Sequence, residues 1–377
     1  MKRESLFEVI FFMLCLLIVT SLIWIFYQSP AVLPEDGTWT FAVVCDTRGD
    51  NQNTTGKTCV NDLVTKAIAN GIVGDGCDLV LFPGDMVNGW CQNGSTTYAK
   101  QFENWKRAMG PVYKAGIEVY SVRGNHEDGP LPFPNPSYPY EPSSDPALKE
   151  AYIEAFKGNL SEYGLLDSGP EGEEYLTYSF VHNNAFFVGL DEYAEPHAHR
   201  VDQEWLDAQL ANNSQPYVFV FGHEPAFKIN HLDCLDTYPE DRDEFWDSIG
   251  DAGCRIYFCG HDHSYNRMCV KDKGGHEIRQ MVIGSCGAPM KPWTLSEYNE
   301  SRGIMCEHHN GDDYGYALVR VGRDKATVEW KAWDGTGDPT WVMKDGFTIL
   351  AVNASAAAGT ASATANASTS ANATATA

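Results

Sequence analysis

Five short apolar segments of this chain each end in a polar turn that carries Asp, Asn or His. The segments cover residues 38–45, 78–82, 117–122, 217–221 and 255–259. Short apolar runs bounded by polar turns are typical of strands buried in a sheet. Segments with helical spacing of apolar residues stand between them, so that strand and helix alternate along the chain. This alternation predicts an α/β fold with parallel strands.

The sequence between and after these segments predicts the other helices and strands of the domain. Helical spacing predicts helices near residues 57–70, 98–114, 147–157, 202–211 and 241–249. A hairpin is expected at 176–181 and 185–190, and further strands at 278–283, 314–321 and 326–333. Residues 129–146 contain seven prolines and are expected to form an irregular insertion.

The N-terminal segment differs from the rest of the chain. Residues 9–27 carry no charge, and a helix of this length spans roughly 28 Å, close to the hydrocarbon core of a bilayer. A cleaved signal peptide has a shorter apolar core and a small-residue cleavage site, which Ser29-Pro30-Ala31 matches poorly. We therefore predict an uncleaved transmembrane anchor, with a cleaved signal as the alternative. Basic residues before the span predict that residues 1–8 are a cytoplasmic stub and that the chain after residue 28 is exported.

The parts that follow the anchor have distinct compositions. Residues 28–37 are read as a linker, 38–350 as one domain, and 351–377, rich in Ala, Ser and Thr, as a disordered tail. Eight Asn-X-Ser/Thr sequons suit an exported glycoprotein or arise by chance in such a sequence. Ten of the eleven cysteines lie outside the apolar span, and an even number in an exported domain predicts disulfides whose pairing stays open.

The net charge of the chain indicates which kinds of partner it can bind. The chain has 27 basic and 51 acidic residues, a formal net charge of −24. Proteins that bind nucleic acids present Lys and Arg to the phosphate backbone, so no nucleic-acid partner is expected.

The polar turns are the candidate functional site. In open α/β sheets, ligands bind beyond the carboxyl ends of the strands, so these turns are expected to converge. They carry oxygen and imidazole groups without thiolate, a set that suits Zn, Mn or Fe. There are too many candidate ligands for one tetrahedral ion, and one central carboxylate can bridge two ions. The candidates are Asp46, Asp85, Asn125, His126, His223, His261 and His263.

The order of these motifs resembles that of the calcineurin-like metallophosphoesterases. The matching segments are Asp46-Thr47-Arg48, Gly84-Asp85-Met86-Val87, Gly124-Asn125-His126-Glu127, Gly222-His223 and Gly260-His261-Asp262-His263. The resemblance covers essentially the whole predicted domain. It implies two packed mixed β-sheets flanked by helices, a four-layer αββα sandwich.

The resemblance also implies a role for each matching residue. Asp85 would bridge two divalent or mixed-valence metal ions, Fe, Mn or Zn, whose identity stays open. Asp46 and His263 would complete the first metal's ligands, and the second metal would be held by Asn125, His223 and His261. A hydroxide that bridges the ions would attack phosphorus, and His126 would protonate the leaving oxygen as a general acid.

Two positions depart from the family pattern. Many members have His where Arg48 stands, and a guanidinium is a poor ligand that can instead fork onto phosphate oxygens. We expect Arg48 to contact the substrate phosphate, with a salt bridge to Asp50 or another carboxylate as the alternative. Purple acid phosphatases, relatives within the superfamily, place Tyr at the position of Asn88. A tyrosinate-bound ferric ion is therefore not expected, and Asn88 or water would complete the first metal's ligands.

These features predict an exported metal-dependent hydrolase that cleaves the ester of a small phosphorylated substrate. It would act as a phosphatase or phosphodiesterase at the cell membrane, with the catalytic domain outside the cytoplasm, or secreted if the signal is cleaved. The alternative from another class is a catalytically silent cell-surface protein that uses the same fold for binding or adhesion. Retention of nearly the whole ligand set favours the enzyme.

Overall fold

Strands rich in Val, Ile, Phe and Tyr form two stacked β-sheets. The structure is a computed structural model that describes residues 37–49, 58–89, 96–129, 145–291 and 304–352. Within these ranges, six strands form the first sheet, in the spatial order β13 (Val342–Leu350), β12 (Lys325–Trp333), β11 (Tyr314–Val321), β1 (Trp39–Val43), β2 (Leu79–Pro83) and β3 (Glu118–Val122). Strands β1, β2 and β3 run parallel, and β11 pairs with β1 antiparallel. The first sheet is therefore mixed.

The second sheet is mixed as well. Over the same ranges it has seven strands, in the order β10 (Met305–Asn310), β8 (Tyr265–Lys271), β9 (Glu277–Ile283), β7 (Ile256–Cys259), β6 (Tyr217–Phe221), β5 (Ala185–Gly189) and β4 (Tyr178–His182). Strands β5, β6, β7 and β9 are parallel, whereas β4 and β5 form the antiparallel hairpin predicted from the sequence.

Helices cover the outer face of each sheet. Those near the first sheet are α1 (Asp62–Asp75), α2 (Tyr98–Ala108), α3 (Gly110–Lys114), α4 (Asn125–Asp128) and α5 (Pro146–Tyr163). The second sheet is covered by α6 (Gln203–Ala211) and α7 (Pro239–Asp251). Trp105 of α2 packs edge-on against Phe82 of β2, with ring centroids 4.9 Å apart, and Phe245 of α7 packs against Tyr257 of β7 at 5.4 Å. Each helical layer thus packs aromatic side chains against the outer face of one sheet.

Aromatic rings also fill the space between the sheets. Phe41 of β1 is fully buried, and its ring centroid lies 5.4 Å from that of Phe187 and 5.0 Å from that of Phe219, both on the second sheet. Edge-to-face contacts of this kind add to the stabilisation from buried apolar area. The predicted pair of packed mixed sheets between helical layers is confirmed.

Several boundaries differ from the predictions. Helix α1 begins at Asp62, five residues later than expected, because Asn61 caps it by accepting a hydrogen bond from the Val64 backbone N–H. The predicted helix near 98–114 is two helices, and α5 extends to Tyr163. Strands β8, β10 and β13 lack a clear apolar alternation in sequence and were not predicted.

Cysteine chemistry also differs from the prediction. Cys59 is disulfide-bonded. Eight other described cysteines are free: Cys45, Cys77, Cys234, Cys254, Cys259, Cys269, Cys286 and Cys306. The expectation of general pairing is wrong for these eight, because all but Cys306 are buried and pack as small apolar residues.

The predicted anchor at residues 9–27 and most of the tail at 351–377 lie outside the described residues. Among the helices of the described ranges, none is long and apolar enough to cross a bilayer.

Candidate metal centre

The strand exits of the two sheets meet at one edge of the molecule. The first sheet supplies oxygen ligands from the turns after β1, β2 and β3, and the second sheet supplies imidazoles from the turns after β6 and β7. The structure brings the predicted ligands together as expected from their positions at strand ends: Asp46, Asp85, Asn125, His223, His261 and His263. Five of the six are buried, and Asn125 is partly exposed.

The backbone of these turns is held in an unusual conformation. Asp46 and Asp85 both lie in the left-handed region, with φ of 54° and 55°, which aims their carboxylates into the crevice between the sheets. A Cβ atom on Gly124 would collide with the Asp85 carboxylate. The Gly in the Gly-Asn-His-Glu segment is thus required by the close approach of two turns.

Four ligand atoms converge around one position, which we name the second metal position: Oδ1 of Asp85, Oδ1 of Asn125, Nε2 of His223 and Nδ1 of His261. Oδ1 of Asn125 lies 3.1 Å from both imidazole nitrogens, and Oδ1 of Asp85 lies 3.4 Å from Nε2 of His223. Nδ1 of His223 lies 2.7 Å from the carbonyl oxygen of Pro83, so it must carry the proton. Nε2 of His223 therefore turns a lone pair toward two oxygens, an arrangement that a cation would satisfy.

The first metal position is framed by Asp46, Asp85 and His263, whose ligand atoms all lie within 4.8 Å of one another. Oδ1 of Asp46 is buried, has no hydrogen-bond partner, and lies 3.7 Å from Nε2 of His263. The guanidinium of Arg48 also enters this position. Its Nε lies 3.3 Å from Oδ2 of Asp85, and its Nη2 lies 3.1 Å from Nε2 of His263. The donor types fit a metal ion, but the guanidinium does not.

Burial and neighbouring charges set the electrostatics of the crevice. Burial raises the pKa of Asp46 well above its usual range, and the charge of Asp85 adds to this effect. Burial also raises the pKa of Asp85, but His126 and His223 outweigh it and hold that pKa well below the usual range. Burial lowers the pKa of His223 to about 4. Asp85 is thus the anion of the site.

The two remaining predicted site residues lie beside the first position. Nδ1 of His126 donates to the carbonyl oxygen of Asn88 at 2.6 Å, and Nε2 lies 3.9 Å from Oδ2 of Asp85. Burial and the charge of Arg48 lower the pKa of His126 to about 4. The Asn88 side chain donates to the carbonyl oxygen of Gly49 at 3.1 Å and is buried.

Two buried carboxylates support the ligand turns. Glu127 accepts hydrogen bonds from the backbone N–H groups of Asp85, Val87 and Gly124, at 2.7, 3.1 and 2.9 Å. Glu192 accepts from the backbone N–H of His223 at 2.6 Å. Sequence reasoning missed both roles, although Glu127 belongs to the Gly-Asn-His-Glu segment.

The wall of the crevice contains further residues. The ring of His231 packs beside that of His261 with centroids 4.2 Å apart and ring planes tilted by 40°. Its Nε2 lies 2.7 Å from Nζ of Lys291, and its Nδ1 lies 2.9 Å from Oδ1 of Asp262. Oδ1 of Asp233 lies 3.4 Å from Nε2 of His261. Lys291 and Asp233 carried no motif signal.

Comparison with known proteins identifies the class. The family model for calcineurin-like phosphoesterases matches residues 50–265, more than half of the chain. Human tartrate-resistant acid phosphatase type 5 is 27% identical over 136 residues, which cover 35% of this chain and 38% of that protein. The chain is therefore matched to well under half the length of this relative.

Solved structures share the fold. A purple acid phosphatase from yellow lupin seeds superposes with a TM-score of 0.61 at 16% identity, covering 85% of this chain and 55% of that one. PhoD superposes with a TM-score of 0.58 at 15% identity, covering 86% and 72%. Family and fold together imply a dinuclear metal centre at the strand exits described above. The chain belongs to the calcineurin-like phosphoesterase family.

Proposed function

We propose that this protein is an exported, metal-dependent hydrolase of small phosphate esters. The observation that carries the proposal is the second metal position, where Asp85, Asn125, His223 and His261 direct oxygen and nitrogen atoms at one point. The oxygens of Asp85 and Asn125 and the Nε2 lone pair of His223 face one another there, an arrangement that is costly unless a cation lies between them. The donor set of oxygen and imidazole suits Zn, Mn or Fe.

Each residue has a distinct task in this proposal. Asp85 faces both metal positions, Oδ1 toward His223 and Oδ2 toward Arg48. When bound, metal ions lower the pKa of water and stabilise charge on phosphoryl oxygens. The protein holds the ligands rigid, because the turns that carry them are fixed by buried hydrogen bonds.

His126 is proposed to protonate the leaving oxygen. Its Nδ1 is committed to the Asn88 carbonyl, so the transferable proton belongs on Nε2, which faces Asp85 at 3.9 Å. Because the pKa of His126 is lowered to about 4, Nε2 carries this proton at acidic pH. A proton delivered there would reach an ester oxygen held at the metal positions. Arg48 ion-pairs with Asp85 and would present its remaining N–H groups to a substrate phosphate.

Hydrolysis itself is the direct test. The purified protein, loaded with Zn²⁺ or Mn²⁺, should hydrolyse at least one member of a panel of phosphate mono- and diesters. His223→Ala should lose this activity, whereas His276→Ala, at a partly exposed position in the turn between β8 and β9, should retain it. A fully metallated protein that cleaves no ester would reject the proposal and favour a catalytically silent binding protein.

We also propose that residues 9–27 anchor the protein in a membrane with the catalytic domain outside the cytoplasm. The full-length protein should resist carbonate extraction from membranes. Protease added outside intact cells should release the domain. A mature soluble chain that begins near residue 32 would instead show a cleaved signal.

A further inference from the structure

Arg48 lies among the ligands of the first metal position. Its side chain is 12% exposed, and its guanidinium contacts Oδ2 of Asp85 through Nε at 3.3 Å and Nε2 of His263 through Nη2 at 3.1 Å. The backbone of Arg48 is fixed as well, because its N–H donates to the carbonyl oxygen of Asp85 at 3.2 Å. The contacts thus involve the atoms of Asp85 and His263 that a first metal ion would use.

The tautomer of His263 determines that its Nε2 accepts the hydrogen bond from Arg48. Nδ1 of His263 lies 2.9 Å from the carbonyl oxygen of Pro289, which can only accept, so Nδ1 carries the proton. Nε2 therefore holds a lone pair, and it accepts a hydrogen bond from the Arg48 guanidinium. A lone pair engaged in this way is not available to a metal ion.

The positive charge of Arg48 also opposes a metal ion at the first position. Arginine stays protonated in proteins and is a donor without acceptor capacity, so it cannot become a ligand. A metal ion placed between Asp85 and His263 would meet this cation at close range in a buried site, where repulsion is poorly screened. An imidazole in place of the guanidinium would offer a lone pair and no fixed charge, so it could add a ligand.

The two carboxylate oxygens of Asp85 face different partners. Oδ1 faces the second metal position at His223, whereas Oδ2 faces Arg48. We propose that Arg48 replaces the first metal ion, so that Asp85 bridges one metal ion and one guanidinium and the protein binds a single equivalent of metal. This inference rests on the proposed metal centre and specifies how many ions that centre holds.

Metal stoichiometry tests the proposal without recourse to activity. The full-length protein is loaded with excess Mn²⁺, freed of unbound ion, and analysed by elemental analysis and electron paramagnetic resonance. Wild-type protein should hold one equivalent, with the spectrum of an isolated ion. Arg48→His should hold two equivalents and show a spin-coupled pair. Arg320→His, the same exchange at a partly exposed position on β11, should hold one.

A second pair of variants locates the ions. His223→Ala should remove the single ion of the wild type, and His263→Ala should leave it in place. Adding His263→Ala to Arg48→His should return the stoichiometry from two to one. Circular dichroism of each variant separates loss of metal from loss of fold.

The outcomes distinguish the proposed metal centre from the proposed replacement of its first ion by Arg48. Two equivalents in the wild type, unchanged in Arg48→His, would overturn the role of Arg48 and leave the proposed metal centre intact. Wild-type protein that stays folded and binds no metal would overturn the metal centre and this inference with it.

Discussion

Oδ1 of Asp233 lies 3.4 Å from Nε2 of His261, on the side of the ring opposite to the proposed metal. Burial lowers the pKa of His261, but the Asp233 carboxylate outweighs it and raises that pKa to about 10. The carboxylate holds the proton on Nε2, so Nδ1, which faces Asn125 at 3.1 Å, is the nitrogen that would give up its proton when a metal ion binds. Asp233 orients His261 as a ligand.

Replacing Asp233 should weaken metal binding without removing a ligand. We expect Asp233→Asn to lower the affinity of the second metal position by about 10–100-fold, the usual effect of removing a hydrogen-bond partner of a ligating His. Isothermal titration with Zn²⁺ measures this change. Asp338→Asn, at an exposed position, should leave the affinity unchanged. Equal affinities of the two variants would argue against the orienting role.

Replacing His126 should slow substrates according to their leaving groups. An alkyl phosphate needs a proton on its leaving oxygen, whereas a nitrophenyl phosphate leaves with little help. We expect His126→Ala to keep its metal and to slow alkyl esters by roughly 10²–10⁴-fold, with a much smaller effect on nitrophenyl esters. Equal slowing of both substrates would show that His126 positions phosphate instead.

Replacing Glu127 should destabilise the fold. The carboxylate accepts hydrogen bonds from three backbone N–H groups, and an amide in its place would turn one NH₂ group toward these donors. We expect Glu127→Gln to reduce the free energy of unfolding by about 1–3 kcal/mol, measured by urea denaturation. Glu171→Gln, at an exposed position, serves as the matched variant and should change it little.

The pair formed by His197 and Glu173 should contribute stability that depends on pH. Nε2 of His197 lies 2.6 Å from Oε1 of Glu173, and this hydrogen bond raises the pKa of His197. A raised folded-state pKa gives stability that is complete below the unfolded value of about 6.5 and is lost as pH rises through the folded value. His197→Gln should therefore lower the free energy of unfolding by about 1–2 kcal/mol at pH 5.5 and by less at pH 9. A loss that is equal at both pH values would contradict the charged pair.

Replacing Phe41 should weaken the contact between the sheets. The ring is fully buried against Phe187 and Phe219. We expect Phe41→Ala to cost about 3–5 kcal/mol of unfolding free energy, the usual range for a buried aromatic residue. Val181→Ala on β4, where the side chain is 42% exposed, should cost far less. Chemical denaturation followed by tryptophan fluorescence measures both.

The strands that lead to the metal centre were predictable because each is a short apolar run followed by a polar turn. The sequence alone therefore predicts that Asp46, Asp85 and His223 lie together. Strands β8, β10 and β13 were not predictable in this way, since charged and polar residues interrupt their alternation. Pairing with a neighbouring strand, which local sequence does not encode, determines them.

Residues that act through a backbone group or through another side chain were harder to predict. Asp233 lies in an irregular segment, and only the fold brings it to His261. Arg123 follows β3 without any local signal for the partners of its side chain. It is buried and ion-pairs with Asp128 at 3.0 Å and with Asp191 at 2.7 Å, and only the fold brings Asp191 to it.

Glu127 and Glu192 fix the ligand turns by accepting hydrogen bonds from backbone N–H groups, and neither carboxylate is needed as a metal ligand. The shape of the crevice is therefore set by the polypeptide before any ion arrives. Folding and metal loading become separable events, and the apoprotein should be a stable precursor that takes up its ion wherever that ion is first available. The supply of metal in that compartment, as much as the affinity of the site, would then determine which ion the mature protein contains.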